Sequence, residues 1–326
     1  MKKVLVTGAA GFIGYHLSKR LLEEGYLVVG LDNLNNYYDQ NLKMDRLNNL
    51  KCKDNFNFFK MDLNDKIELN QLFSNQNFDI VVNLAAQAGV RNSIENPHDY
   101  ITSNIDGFIN ILEACRKNDI DHLLYASSSS VYGGNKKIPF SVDDRVDSPV
   151  SLYAATKKSN ELMAHSYSHL FSIPSTGLRF FTVYGPWGRP DMAYFSFANK
   201  ILSNKEIYIY NQGNMERDFT YIDDIIDSII KLIPKAPDRN NKESAPYRIV
   251  NIGSGKPISL LSFVEILEKK LNRKAKKILT EMQPGDVEKT YADITELNQL
   301  TNFTPKWSFE EGITEFVEWY KSYYMS

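Results

Sequence analysis

The chain is poor in cysteine. Of its 326 residues only Cys52 and Cys115 carry a thiol, and they have no paired spacing. That excludes a zinc ribbon and a disulfide scaffold. It fits a reducing cytosol, so a cytoplasmic location is expected. Histidine is also scarce. The five present (His16, His98, His122, His165, His169) form no ligand motif beyond His165-x-x-x-His169. That pair lacks the glutamate of a zincin and reads as two polar positions on one helix, so no metal is expected. No strong excess of charge exists: 38 Lys+Arg against 40 Asp+Glu leave −2, which gives no reason to expect a nucleic-acid partner. The one basic run, Lys269 to Lys277, reads as a solvated helix face and the loop after it. No stretch approaches the ~20 apolar residues of a membrane span. The first apolar run is too short for a signal peptide, so no membrane partner is expected. No internal repeat is visible.

What is present is an ordinary globular balance, 43% hydrophobic and 24% charged. The length suits one large α/β unit with a smaller lobe, or two domains. The most informative stretch is Gly8-Ala9-Ala10-Gly11-Phe12-Ile13-Gly14. Before it, Val4-Leu5-Val6 reads as a buried strand. After it, Leu17, Leu21 and Leu22 stand at helical spacing, and a second apolar run, Tyr26 to Leu31, ends in Asp32. Strand, glycine turn, helix, strand and acid together form a dinucleotide-binding signal. The glycines permit a tight turn, and a pyrophosphate would rest on the N–H groups that open the helix. Asp32 would accept hydrogen bonds from the adenosine ribose hydroxyls and repel a 2′-phosphate. With Asn33 next rather than arginine, NAD is favoured over NADP. Gly8, Gly11, Phe12, Ile13, Gly14, Asp32 and Asn33 are therefore candidate cofactor contacts.

Strand-like runs (Val4–Val6, Leu27–Leu31, Phe56–Met61, Ile80–Leu84, Leu123–Ala126, Thr176–Phe180) alternate with helical patterns, clearest at Ile105–Lys117 and Tyr153–Leu170. Such alternation predicts an α/β fold with a doubly wound parallel sheet of Rossmann type. After Phe181 the pattern changes. Pro186, Gly188 and Pro190 punctuate a loop, and short strands (Ile207–Tyr210, Tyr247–Ile252) mix with helices (Ala193–Ser203, Ile222–Ile233, Ser259–Leu271, Phe309–Ser322). The expected division is residues 1–180 for NAD and residues 181–326 mainly for substrate, with some later segments returning to the first domain. Pro234–Ala245 reads as a surface loop.

Four serines, Ser127 to Ser130, end the strand at Ala126, and Tyr153-Ala154-Ala155-Thr156-Lys157 follows downstream. Tyr15/Lys19 and Tyr132/Lys136 share the Tyr-x-x-x-Lys spacing, so spacing alone proves little. The third example opens a helix, which puts Tyr153 and Lys157 one turn apart on one face. A tyrosine has an ordinary pKa near 10. A neighbouring ammonium and a positively charged nicotinamide both favour its phenolate, which can then act as a general base. A serine hydroxyl beside the reacting oxygen can share the proton. The competing reading of the serines is a polar strand end that satisfies backbone groups.

Together these motifs resemble the extended short-chain dehydrogenase/reductases that act on nucleotide sugars. Within them, four stretches resemble the UDP-glucuronate 4-epimerases: Leu31 to Asp39, Asn83 to Arg91, Arg179 to Met192, and Gly213 to Tyr221. The resemblance implies that Ser128 is the catalytic hydroxyl, Tyr153 the base and Lys157 its partner. It implies that Ser127 and Ser130 line the same site. It puts Asp62 and Leu63 at the adenine, and Ala85, Ala86 and Asn104 on the cofactor side. It puts Thr182 at the sugar ring and Arg217 at the UDP diphosphate, with Gln283 to Asp286 as a further nucleotide loop. Gln283 stands where galactose epimerases often carry arginine, and Asn92 replaces an expected tyrosine. The implied reaction is C4 epimerisation of a UDP-sugar with NAD regenerated each turnover. Thr182, Ser127 and Arg189 are expected to help hold a substrate carboxylate; Arg189 could instead order the Pro186–Pro190 loop. A UDP-galactose or UDP-N-acetylhexosamine 4-epimerase, a UDP-glucuronate decarboxylase and a non-catalytic NAD-binding sensor remain as alternatives. A 4,6-dehydratase would need an Asp-Glu pair at Ser129-Ser130. The resemblance also implies a homodimer, with Ile105–Lys117 and Tyr153–Leu170 as candidate interface helices.

Overall fold

The structure is a computed structural model that describes residues 1–241, 243–283 and 285–325. Seven parallel strands form its main sheet. They are β1 (Lys3–Thr7), β2 (Leu27–Asp32), β3 (Phe56–Lys60), β4 (Ile80–Asn83), β5 (His122–Ser128), β6 (Ser175–Phe180) and Tyr247–Ile252, which is β10 in chain order. Their spatial order is β10-β6-β5-β4-β1-β2-β3, and every pairing is parallel. β1, β4 and β6 are buried almost throughout, as strands covered on both faces require. The doubly wound fold expected from the alternation is therefore present. Its strand order reverses between β1 and β4, and ligands of such sheets bind at the carboxyl ends of the strands beside that reversal.

Helices cover both faces. α1 (Phe12–Glu23), α2 (Gln40–Lys51) and α3 (Lys66–Gln76) link the first strands. Two single turns, α4 (Asn92–Glu95) and α5 (Pro97–Tyr100), lead to α6 (Gly107–Lys117). The sequence pattern predicts one helix from Ile105, but Ile101–Asp106 is wound as a π-helix. Within it the Asn104 carbonyl also accepts from Asn160 Nδ2 of the later chain at 2.6 Å. α7 (Leu152–Phe171) starts at Ser151, whose hydroxyl accepts from Ala154 N at 3.2 Å. That cap fixes Tyr153 in the first turn.

The later elements are β7 (Thr182–Tyr184), α8 (Ala193–Leu202), β8 (Glu206–Ile209), β9 (Glu216–Tyr221), α9 (Ile222–Leu232), β11 (Pro257–Ser259), α10 (Leu260–Leu271), β12 (Lys276–Leu279), α11 (Thr295–Thr301) and α12 (Phe309–Tyr324). They form a three-stranded sheet, β11-β9-β7, and a two-stranded one, β12-β8. One apolar cluster runs from Val4, Phe12 and Leu17 through Tyr184 and Tyr221 to Phe309 and Phe316, so these elements share their packing with α1. The basic run at Lys269–Lys277 is held by acids of this chain: Lys269 and Lys270 pair with Glu310, and Lys274 and Lys277 with Glu268. No described helix is long and apolar enough to cross a membrane.

Candidate active site

A cavity of about 640 Å³ lies over the carboxyl ends of β1, β2, β4 and β5. At one end is the turn between β1 and α1. Gly8 has φ +69, where a Cβ would also stand 2.9 Å from Ala85 N. A Cβ on Gly14 would come within 2.0 Å of Gly8 O. Only glycine permits that approach, and it keeps the turn flat against β4. Gly11 caps α1 with no side-chain bond, and no acid stands in the first turn. The amides of Phe12, Ile13 and Gly14 are thereby presented to an anion.

Asp32 ends β2 at the cavity wall. Its Oδ2 accepts from Ala10 N at 3.1 Å and its Oδ1 from Leu34 N at 2.8 Å. Burial raises its pKa above the usual carboxylate range, against those bonds and the charges of Lys43 and Arg46. Asn33 Nδ2 donates to Asp62 Oδ2 at 2.7 Å. Burial of Asp62 is outweighed by bonds from Asn64 and Asn33, so its pKa falls below the usual range. Asn33, Asp62, Leu63, Ala85 and Ala86 all line the cavity. Asn104 does not. Its amide is taken by Gln87 N (2.8 Å), Gln87 O (3.0 Å) and Thr156 Oγ1 (3.0 Å), so it shapes the 84–91 loop from behind.

Ser128, Tyr153 and Lys157 meet at the centre of the same cavity. Ser128 Oγ lies 3.2 Å from Ser130 Oγ and accepts from Ser130 N at 3.2 Å. Lys157 Nζ donates to Ala126 O at 2.9 Å and stands 6.0 Å from the centre of the Tyr153 ring. Burial alone drops the Lys157 pKa to about 8. Burial raises that of Tyr153, while a bond with Ser128 and the charge of Arg189 oppose it. The phenol thus needs further positive charge before it can act as a base near neutrality. Residues that fit a dinucleotide, from Gly8 to Asp32, lead directly to this phenol, so the cavity suits NAD, whose nicotinamide would supply that charge.

At the far end Ser130, Thr182, Arg189 and Asp286 line the wall. Ser127 also lines it, but its hydroxyl donates to Glu161 Oε1 at 2.7 Å. Arg189 forks onto Asp191, with Nε to Oδ1 at 3.0 Å. Arg217 and Gln283 lie outside the wall. Arg217 Nη2 donates to Asp286 Oδ1 at 2.8 Å, and Arg91 approaches Asp286 Oδ2 at 3.5 Å from the opposite loop. Gln283 Oε1 is buried with no hydrogen-bond partner among the described residues. Pro284 of the expected Gln283–Asp286 loop lies outside the described residues.

Several supports escape sequence reasoning. Glu161 takes Arg179 in a buried two-point ion pair, Nε to Oε1 at 2.8 Å and Nη2 to Oε2 at 2.9 Å. It ties the helix of Tyr153 to β6 beneath the serines. Tyr100 packs edge-on to Tyr153 at 6.1 Å and donates to Ala88 O at 2.8 Å. A signal for the ion pair does exist: Arg179 is the one charged residue of a strand predicted to be buried, and Glu161 is one turn beyond Lys157.

A parallel Rossmann sheet with a Ser-Tyr-Lys group at its carboxyl edge defines a nucleotide-dependent dehydrogenase/reductase architecture. The chain belongs to the NAD dependent epimerase/dehydratase family, whose sequence profile matches residues 4–253. It is 52% identical to Protein CapI of Staphylococcus aureus over 332 residues, covering 99% of each chain. It is 47% identical over 333 residues to a probable UDP-glucuronate 4-epimerase of Rhizobium meliloti, covering 99% of this chain and 98% of the other. Among solved structures, UDP-glucuronic acid 4-epimerase from Bacillus cereus, in complex with UDP-glucuronic acid and NAD, superposes with a TM-score of 0.90 at 35% identity. That match covers 99% of this chain and 100% of the other.

Proposed function

We propose that this chain is an NAD-dependent UDP-sugar 4-epimerase that interconverts UDP-glucuronate and UDP-galacturonate. The observation that carries the reading is one continuous cavity with a dinucleotide turn at one end, Ser128-Tyr153-Lys157 at its centre and Arg189 with Asp286 at the other. Residues 1–180 serve the dinucleotide, and 181–326 mainly the sugar nucleotide. Bound NAD would supply a reversible hydride acceptor for C4 of the sugar, so that hydride could leave one face and return to the other. Gly8, Gly11, Gly14 and Asp32 would hold it.

Tyr153 takes the proton of the sugar 4-hydroxyl, and Ser128 shares it through its hydroxyl. Lys157 favours the phenolate by charge. The resulting 4-keto uronate is a β-keto acid, which loses carbon dioxide if its carboxylate bond aligns with the carbonyl π system. Thr182 and Arg189 would hold that carboxylate out of line. Arg189 reaches it by yielding part of its fork from Asp191, whereas the Ser127 hydroxyl is already engaged by Glu161. Arg217, next to Asp286, is the proposed diphosphate partner. α7 exposes Leu162 and Leu170, two turns apart, which supports a homodimer through α6 and α7.

Incubation of purified protein with UDP-glucuronate and no added NAD, followed by NMR, tests the reading. UDP-galacturonate is the expected product. UDP-xylose would reveal a decarboxylase, and no change, even with NAD added, would shift the substrate to a neutral UDP-hexose.

A further inference from the structure

Arg46, on α2, is 0% exposed. Among the described residues no carboxylate makes an ion pair with it; its bonds go to backbone carbonyls and one phenol. Nη1 donates to Ala10 O at 3.0 Å and to the Tyr38 hydroxyl at 2.6 Å. Nη2 donates to Trp187 O at 2.5 Å and to Gly188 O at 3.0 Å. A cation held out of water is strongly disfavoured unless its donors are matched, and here both terminal nitrogens are matched while buried Nε has no partner among the described residues. Those carbonyls are therefore not incidental partners, and they belong to two different loops. Ala10 lies in the glycine turn, and its N–H is held by Asp32 Oδ2. Trp187 and Gly188 belong to the loop that brings Arg189, Asp191 and Met192 into the cavity.

His16 acts on the same loop. Its Nε2 lies 3.0 Å from Pro186 O. Burial lowers its pKa to about 3, so the imidazole is neutral, and facing a carbonyl it must donate through Nε2. The Trp187 ring packs on Tyr15 at 5.6 Å. Three successive carbonyls, from Pro186 to Gly188, are thus tied to α1 and α2. The loop requires such ties, because Trp187 has φ +58, a conformation that bulky residues disfavour.

We propose that Arg46 is a positioning residue that couples the dinucleotide turn to the sugar-end loop and so sets the placement of Arg189 without touching substrate. The proposal rests on the reading of that loop as the sugar end. Lysine would keep the charge, but one ammonium cannot span carbonyls of two loops as the planar fork does.

The test uses NAD-containing protein and compares Arg46→Lys and His16→Phe, each alone and combined with Arg189→Ala. Thermal melting, UDP affinity and UDP-glucuronate kcat and KM are measured. Arg46→Lys should lower kcat/KM at least tenfold while UDP affinity, which does not depend on the sugar loop, stays within twofold. His16→Phe should act in the same direction to a smaller extent. In the Arg189→Ala background both losses should vanish, which a merely structural role would not produce. Equal loss of UDP affinity, an undiminished effect without Arg189, or unchanged kcat/KM would overturn the proposal. If Arg46→Lys does not melt cooperatively, His16→Phe decides by the same criteria. Wild-type protein that converts UDP-galactose and not UDP-glucuronate would overturn the substrate reading alone, and the coupling would then be read on UDP-galactose.

Discussion

At Lys157 stability and chemistry pull in opposite directions. The side chain is 3% exposed, and among the described residues its ammonium has one hydrogen bond, to Ala126 O at 2.9 Å. Burial lowers its pKa from 10.5 to about 8. At 1.36 kcal/mol per pH unit that gap is worth about 3 kcal/mol against the folded state at pH 7. Lys157→Met removes this penalty and forfeits one charge-assisted hydrogen bond, worth roughly 1.5–3 kcal/mol. The variant should therefore be at least as stable as wild type at pH 7, and by up to about 1.5 kcal/mol more so. The sign of the pH dependence sharpens the test. The folded pKa lies below the unfolded one, so between about 8 and 10.5 the unfolded chain binds more protons and wild-type stability rises with pH. Across that window the balance between the two proteins should move toward wild type by up to about 3 kcal/mol. Denaturant unfolding at pH 7 and at pH 10, on preparations of matched NAD content, measures it. Turnover should fall at least ~100-fold, because Tyr153 loses the charge that favours its phenolate. A stability difference that is the same at both pH values would refute the burial argument. A variant that keeps a tenth of wild-type turnover would refute the catalytic one.

Three further outcomes are expected. Tyr153→Phe removes only the hydroxyl, so turnover should drop by about 10²–10⁴-fold while NAD still co-purifies; its release on denaturation is the check. Glu161→Gln leaves Arg179 buried and unpaired, which should cost about 3–5 kcal/mol and lower the melting temperature by several degrees; Glu161→Leu with Arg179→Met should recover most of the loss. Gly14→Ala drives a Cβ to 2.0 Å from Gly8 O, so the turn must open; NAD retention should be lost while circular dichroism still reports the helices.

Much of the fold was legible because it rests on local pattern. Six of the seven main-sheet strands were predicted from the first 180 residues as apolar runs with periodic helices between them. The helix over Tyr153–Leu170 differs from α7 by one residue at each end. The glycine turn was legible because the steric exclusion at Gly14 comes from Gly8 and Ala9, a few residues away, whereas the exclusion at Gly8 comes from Ala85, after β4. The exceptions are tertiary. Asn104 was expected at the cofactor, yet its amide brackets the 84–91 loop. Periodicity carries no trace of the π-helix at Ile101–Asp106, whose Asn104 carbonyl is bonded by Asn160, far along the chain.

The sequence by itself determined the sheet class, the dinucleotide turn and the one-turn spacing of Tyr153 and Lys157, because short-range sterics and helical geometry leave those few alternatives. Only the tertiary structure decided which polar groups are committed to one another. Ser127 is engaged by Glu161, Arg189 by Asp191, Arg217 by Asp286, and Arg46 by two loops more than a hundred residues apart. Apart from the local Arg189–Asp191 fork, such pairings follow from burial. A charge removed from water must find the nearest matched partner, and for these groups which partner is nearest is settled only when distant segments pack.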